Sequence, residues 1–450
     1  MRSYPKYKSS GVEWLGEIPE HWDRYRMKFL FNSINGGVWG EEPVDNQNDM
    51  ICIRVADFDY DNGVINLNKL TTRNISFSEQ KGRILKKGDL LIEKSGGGEL
   101  SPVGRVVKFD LDIKAVCSNF INRLNTKNTF SPDFLNCLNK FLYAKGLTEI
   151  CINQTIGIQN LKVGEFLGKT VFVPPIDEQH KIVNFLDYKT GQCDRFISNR
   201  QKQIELLNEQ KATIINKAVT KGINPNAKMK PSDIEWIGDI PEHWKVKRPA
   251  SFGRFSKGSG ISKSDLVENG VPVILYGDIY TKYNLIAEHI FNFISQELAS
   301  NSKPIYKGDL LFTGSGETRE DIGKCIVYNG ETKAYAGGDL MIFRQKSNSS
   351  LFLAYSFSTN YAITKKAMNS RGDIIIHIYA SALRDIYIPI PSLSEQQGII
   401  DFIKKETSKI ETLISKYQKQ IELMQEYRTT LISQAVTGKI DVRDWKPPTK

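Results

Sequence analysis

At 450 residues, 40% hydrophobic and 25% charged, the chain has an ordinary globular composition with room for two to four domains. Lys and Arg number 61 against 51 acidic residues, a formal charge of +10 that favours an anionic partner. The cysteines at 52, 117, 137, 151, 193 and 325 form no CxxC pair and stand near no histidine cluster, which excludes a zinc site and points to free thiols in a reducing compartment. The first residues lack the apolar core of a signal peptide, and no apolar run reaches membrane-spanning length, so a cytoplasmic protein is expected.

In chain order, the first informative stretch is Trp14-Leu-Gly-Glu-Ile-Pro-Glu-His-Trp22, which returns as Trp236-Ile-Gly-Asp-Ile-Pro-Glu-His-Trp244. Lys87-Gly-Asp-Leu-Leu91 returns as Lys307-Gly-Asp-Leu-Leu311, the Glu-Gln pair 178–179 as 395–396, and Lys202-Gln-Ile-Glu-Leu206 as Lys419-Gln-Ile-Glu-Leu423. The order is kept while the shift falls from 222 to 217, so whole domains are duplicated and differ by small deletions. Between these framing segments the copies hardly align, as in 32–85 against 253–305.

Each copy opens with a mixed part. Short β-rich runs such as Ile51–Val55, Leu90–Ile92, Val271–Leu275 and Cys325–Tyr328 alternate with Gly, Asn and Asp turns, and stretches at 132–145 and 351–368 have helical periodicity. Each copy closes with a long helix, over about 176–218 and 393–435, entered from proline-fixed extended chain. Ser392 with Glu395 makes a capping-box pattern, and Asp177 is an N-cap candidate in the first copy.

A heptad seam runs through Ile197, Ile204, Leu207 and Ile214, and again through Ile414, Tyr417, Ile421, Met424 and Leu431. Such a seam needs a partner helix, and the economical partner is the other copy, packed antiparallel; the alternative is that each helix packs on its own domain. Residues 197–218 would span roughly 33 Å, about one turn of B-DNA. The expected fold is α/β (α+β), with mixed domains over 1–173 and 234–390, long helices over 174–220 and 391–437, a linker over 221–233 and a tail over 438–450.

No catalytic constellation stands out. Gly258-Ser-Gly-Ile-Ser-Lys263 lacks phosphate-loop spacing, and Phe172-Val-Pro-Pro175 lacks the acid or amide of an amino-methyltransferase motif. Asp321, Glu331 and Lys333 only loosely imitate a nuclease triad, and His21 and His243 read better as duplicated packing than as general bases. No cofactor or metal is expected on this chain.

The repeated Trp-x-Gly-x-Ile-Pro-x-x-Trp motif, the Lys-Gly-Asp-Leu-Leu strand and the Glu-Gln lead into a long helix resemble the specificity subunit of type I restriction-modification enzymes, over nearly the whole chain. The resemblance implies two target-recognition domains, each reading half of a bipartite double-stranded DNA site, and a coiled coil that spaces them. It further implies docking of two methyltransferase subunits, with two nuclease-translocase subunits joining for restriction. S-adenosylmethionine, ATP and Mg then belong to the partners. The competing reading is a coiled-coil adaptor without sequence-specific DNA binding.

Candidate DNA contacts follow. Lys94 and Ser95, and Thr318 and Arg319, lie in the loops after the Lys-Gly-Asp strands, with Arg105 and Lys324 at the equivalent following strand starts. Gln154, Gln159, Asn160 and Lys162, and Arg371 and His377, precede the long helices and suit base-edge readout. Lys257, Ser259 and Lys263 sit in a Gly-Ser-rich basic loop fit to clamp phosphate. For the first of these groups the alternative is a solvated turn, and for the Gly-Ser-rich basic loop a mobile surface loop.

Overall fold

A computed structural model describes residues 2–98, 101–155 and 157–448, with backbone alone at 154 and 155. It divides into two compact units that cut across the order of the chain. Unit 1 holds Met1–Arg200 with Lys419–Lys450, and unit 2 holds Gln201–Gln418.

In unit 1, β1 (Phe31–Gly36), β2 (Leu90–Glu93), β3 (Ser95–Gly96), β4 (Val106–Lys108) and β5 (Ile121–Thr126) precede helix α1 (Pro132–Ala144), strand β6 (Ile158–Leu161) and helix α2 (Ile176–Lys221). The main sheet has the order β4-β2-β5-β1 with antiparallel neighbours. Beside it a smaller sheet places Asp49–Ile53 between Ala115–Cys117, parallel, and Thr71–Asn74, antiparallel.

In unit 2 the corresponding elements are β7 (Gly253–Lys257), β8 (Leu310–Thr313), β9 (Ser315–Gly316), β10 (Cys325–Tyr328), β11 (Leu340–Gln345), α3 (Ser350–Phe357), β12 (Ile376–His377) and α4 (Leu393–Val436). The sheet order β10-β8-β11-β7 repeats that of unit 1, and Ile286–Ala287 adds a fifth strand beyond β10. The helical stretch expected over 351–368 is broken: α3 stops at Phe357, and Thr359 caps a second helix, Asn360–Met368, by accepting from Ala362 N. A Thr that binds the backbone locally competes with helix continuation, which is why the period alone overran the break.

The repeated motifs meet in space. In unit 1 the Trp22 indole, fully buried, donates to Glu178 Oε1 (3.0 Å), while His21 Nε2 lies 2.7 Å from Oε2. In unit 2 Trp244 donates to Glu395 Oε1 (2.9 Å) and His243 Nε2 lies 3.0 Å from Oε2. A buried indole N–H needs an acceptor, and a carboxylate in the first helical turn is favoured by the helix dipole. The neighbouring glutamines do a second duplicated job: Gln179 and Gln396 accept from the backbone N–H of Ser131 and Ser349, the N-caps of α1 and α3. Of the capping box expected at 392–395 only half forms. Ser392 accepts from Glu395 N, but the Glu395 carboxylate is taken by Trp244 and His243. Asp177 falls within the first turn of α2, not before it.

The Lys-Gly-Asp motifs are explained by ion pairs of a buried aspartate, with a buried arginine in unit 1 and an exposed one in unit 2. Asp89 receives Arg123 Nε (2.5 Å) with both groups buried, and Asp309 receives Arg344 Nε at 2.8 Å. Buried carboxylates persist only when paired in this way.

The long helices pair antiparallel. Within unit 1 the start of α2 lies beside the end of α4, with Arg428 Nε 3.1 Å from Asp194; within unit 2 Lys211 of α2 lies 2.5 Å from Glu411 of α4. The two pairs use equivalent heptad slots. Ile197, Ile204, Leu207, Ile214, Ile414, Tyr417, Ile421 and Met424 are half-buried and Leu431 is buried. Each unit also finishes its core with the other copy's helix. Leu431, Ala435 and Val436 join Trp22, Phe134 and Ile182 in unit 1, while Ala218 and Val219 join Trp244, Phe352 and Ile400 in unit 2. Both helices stop at a left-handed glycine set against the repeated tryptophan: at Gly438 an added Cβ would stand 2.3 Å from Pro19 and 3.2 Å from Trp22, and at Gly222 3.3 Å from Trp244. The tail then returns to the first residues, Asp441 N donating to Arg2 O, while Trp445 packs edge-on against Phe185 of α2.

Because Leu431 belongs to the first unit's core, Leu431→Ala should destabilise unit 1 by about 2–5 kcal/mol and spare unit 2. Native-state hydrogen exchange at β2 against β8 reads this directly, with faster exchange expected at β2 alone.

Candidate nucleic-acid interface

The sheet strand β2 runs straight into β3, and β3 pairs with β6, joining two segments more than sixty residues apart. Ser95 stands opposite Asn160, with Ser95 Oγ donating to Asn160 Oδ1 at 2.7 Å, and Gly96 stands opposite Gln159. Unit 2 repeats the arrangement. Ser315 of β9 faces His377 of β12, with Oγ 3.0 Å from Nδ1, and Gly316 faces Ile376. The loop after the Lys-Gly-Asp strand and the segment before the long helix, chosen separately from sequence, therefore form one hairpin-backed face in each unit.

Side chains alternate identically on that face. Gln159 and Ile376 turn inward and are buried, Gln159 Oε1 accepting from Val103 N at 3.2 Å. Asn160 and His377 turn outward and are half-buried. Lys94, half-buried, and exposed Lys162, which lies 3.5 Å from Glu165, flank the unit 1 face. In unit 2 exposed Arg371 is backbone-paired with His377, and Arg319 donates to Gly372 O (3.2 Å), pinning the loop over 369–377. Thr318 donates to Asp321. The side chain of Gln154 lies outside the described residues.

Arg105 and Lys324 occupy equivalent places, their carbonyls accepting from Glu93 N and Thr313 N, but their side chains are committed differently. Arg105 lies 3.3 Å from Glu93, and its guanidinium stacks 3.5 Å above the Tyr60 ring. Glu93 is buried, and burial pushes its carboxyl up against the opposing pull of Arg105. In unit 2 the slot of Glu93 holds Thr313, bonded to Tyr280 (2.7 Å), and Lys324 Nζ donates to Tyr283 O, its ammonium pushed down by burial.

Lys257 closes β7, opposite Met341 of β11, and Ser259 and Lys263 follow in the loop after it. Lys257 and Lys263 line a cavity of about 1020 Å³ with Asp278 and Lys282, while Ser259 Oγ accepts from Lys303 N. Asp321, Glu331 and Lys333 do not gather. Glu331 pairs with Lys307, and Lys333 stands over Tyr335. Among the described residues no His, Cys, Asp and Glu group is placed to hold a metal, and no helix is long and apolar enough to cross a membrane.

A duplicated frame with matching internal bonds and non-matching outward side chains is the architecture of a two-part recognition protein. The family model of the type I restriction modification DNA specificity domain matches residues 19–206 and again 241–423, and the chain belongs to that family. It is similar to the type I restriction enzyme MjaVIII specificity subunit of Methanocaldococcus jannaschii, 23% identical over 448 residues with 95% of each chain covered. It is likewise similar to that organism's putative MjaX specificity subunit, 24% identical over 95% of this chain and 96% of that one. The fold matches a chain solved in work on complex assembly and conformational transition of the type I R-M system, with TM-score 0.68, 15% identity, and 94% of this chain and 99% of that chain covered.

Removing Arg105 leaves Glu93 buried without its counter-charge, so Arg105→Ala should cost about 3 kcal/mol or more. Adding Glu93→Gln to the same chain should restore most of that loss. Urea unfolding of the two single variants and the double variant measures the coupling.

Proposed function

We propose that this chain is the sequence-specific DNA-recognition subunit of a type I restriction-modification complex, each unit reading one half of an asymmetric, bipartite site. The observation that carries the reading is the pair of equivalent hairpin faces. Their strand pairing matches, and the side chains at equivalent places do not: Asn160 stands where His377 stands on the outward face, and beneath it the pair Glu93–Arg105 stands where Thr313 and Lys324 stand. Base edges are distinguished by such donor and acceptor patterns, whereas phosphate contacts only position the protein. The surplus of +10 suits a polyanion.

In this reading the paired helices set the spacing between the half-sites and dock two methyltransferase subunits, with two restriction subunits joining for cleavage. The chain performs no chemistry. S-adenosylmethionine, ATP and Mg act on the partners, and the assembly works in the cytoplasm. Family resemblance favours adenine as the methylated base.

The test is genome-wide mapping of methylated adenine in a methylation-free host expressing the neighbouring methyltransferase with and without this chain. A new split motif with unlike halves is expected. A stable complex of the active methyltransferase that adds no motif would overturn the reading in favour of an adaptor.

A further inference from the structure

The outward face of each hairpin carries, two residues before the polar reader, a side chain for which the fold offers no cover. On β6 it is Ile158, half exposed at 50%; in unit 2, at the position immediately before β12, it is Ile375, exposed at 57%. The register makes them equivalent. Asn160 aligns with His377 through their shared serine partners, Gln159 with Ile376 through the shared glycines, and so Ile158 with Ile375. The burial sequence is the same from Ile158 to Leu161 as from Ile375 to Ile378: exposed, buried, half-buried, buried. The next residue outward is Gly157 in one unit and Ile374 in the other.

An exposed isoleucine at one register position in two units, whose loops otherwise diverge, is free to meet an apolar counterpart outside the chain. Its surroundings say which kind. In unit 2 exposed Arg371, with Arg319 pinning the same loop, stands beside the segment that carries Ile375, and in unit 1 Lys94 and Lys162 stand at the other end of β6, beyond Asn160. A single apolar side chain on a face that also carries a polar group and cations does not fit a hydrophobic protein surface, but it matches a base edge flanked by phosphates. In the major groove the apolar feature of a base edge is the thymine 5-methyl group. Two residues along a strand span about 6.6 Å, close to two base steps at about 3.4 Å each. The isoleucine and the polar reader therefore address positions about two base pairs apart in one half-site.

Resting on the DNA-recognition reading above, we infer that Ile158 and Ile375 are specificity-determining residues, each laid against the 5-methyl group of a thymine in its own half-site. Asn160 and His377 make the two half-sites differ; the isoleucines give each of them a thymine.

The test uses the full chain in complex with its methyltransferase subunits and duplexes carrying the mapped motif, with each thymine replaced singly by uracil, which removes only the methyl group. One replacement in each half-site should weaken binding about four-fold, the effect of one buried methyl-sized group. Ile158→Ala should abolish the penalty in one half-site only and Ile375→Ala in the other only, while Ile375→Val, which keeps a branched methyl pair, retains it. Uracil replacements without effect, or penalties that survive in both alanine variants, would overturn this inference and leave the recognition reading standing. Equal binding of the unvaried complex to motif and random duplexes would overturn both.

Discussion

Everything in the molecule hangs on one carboxylate used twice. Glu178 and Glu395 open the long helices, and each accepts from the indole of a buried tryptophan and meets the histidine before it. This contact ties the leading motif of a copy to the helix that closes it, more than 150 residues later. With the adjacent glutamine holding the N-cap of the domain's own helix, three distant segments are fixed at one point. Loss of the carboxylate would strand a buried N–H, a cost of about 1–3 kcal/mol, and would release the helix from its domain.

From that anchor the exchange of helices follows. Each helix starts in its own copy's unit and ends in the core of the other, where a glycine stop lets the backbone turn against the tryptophan. The unit that folds is thus not a continuous half of the chain. The return of the tail to the first residues, through Arg2 and Asp441, completes in unit 1 what the linker does covalently in unit 2. The outward side chains of the hairpins stand outside these shared contacts, so they can vary at little cost in stability.

The duplication was legible because packing constraints repeat with the motifs. Trp22 and Trp244, Asp89 and Asp309, and the heptad slots of Lys211 and Arg428 all play in space the paired roles that their spacing announced. Less legible were interactions in which the copies differ. Nothing in the sequence near Arg105 shows that Glu93 and Tyr60 hold its guanidinium, or that Lys324 answers to the carbonyl of Tyr283, since such partners are set by tertiary contact. The break at Thr359 was hidden by a continuous helical period. Ile158 and Ile375 carry no signal in the sequence: an apolar side chain offers no donor or acceptor, and their equivalence rests on the register of β3 with β6 and of β9 with β12.

The central claim is that two independent readers share one frame, so the most direct measurement is the recognition motif of a chain whose second reader is replaced by the first. The boundaries are given by the strand pairs at the base of each domain, Asp23–Arg26 with Thr170–Val173 and Lys245–Lys247 with Ile388–Ile390. With residues 23–173 grafted in place of 245–390, methylation mapping should return a site built of two copies of the first half-site at unchanged spacing. Persistence of the original second half-site in the motif of the grafted chain would contradict the account.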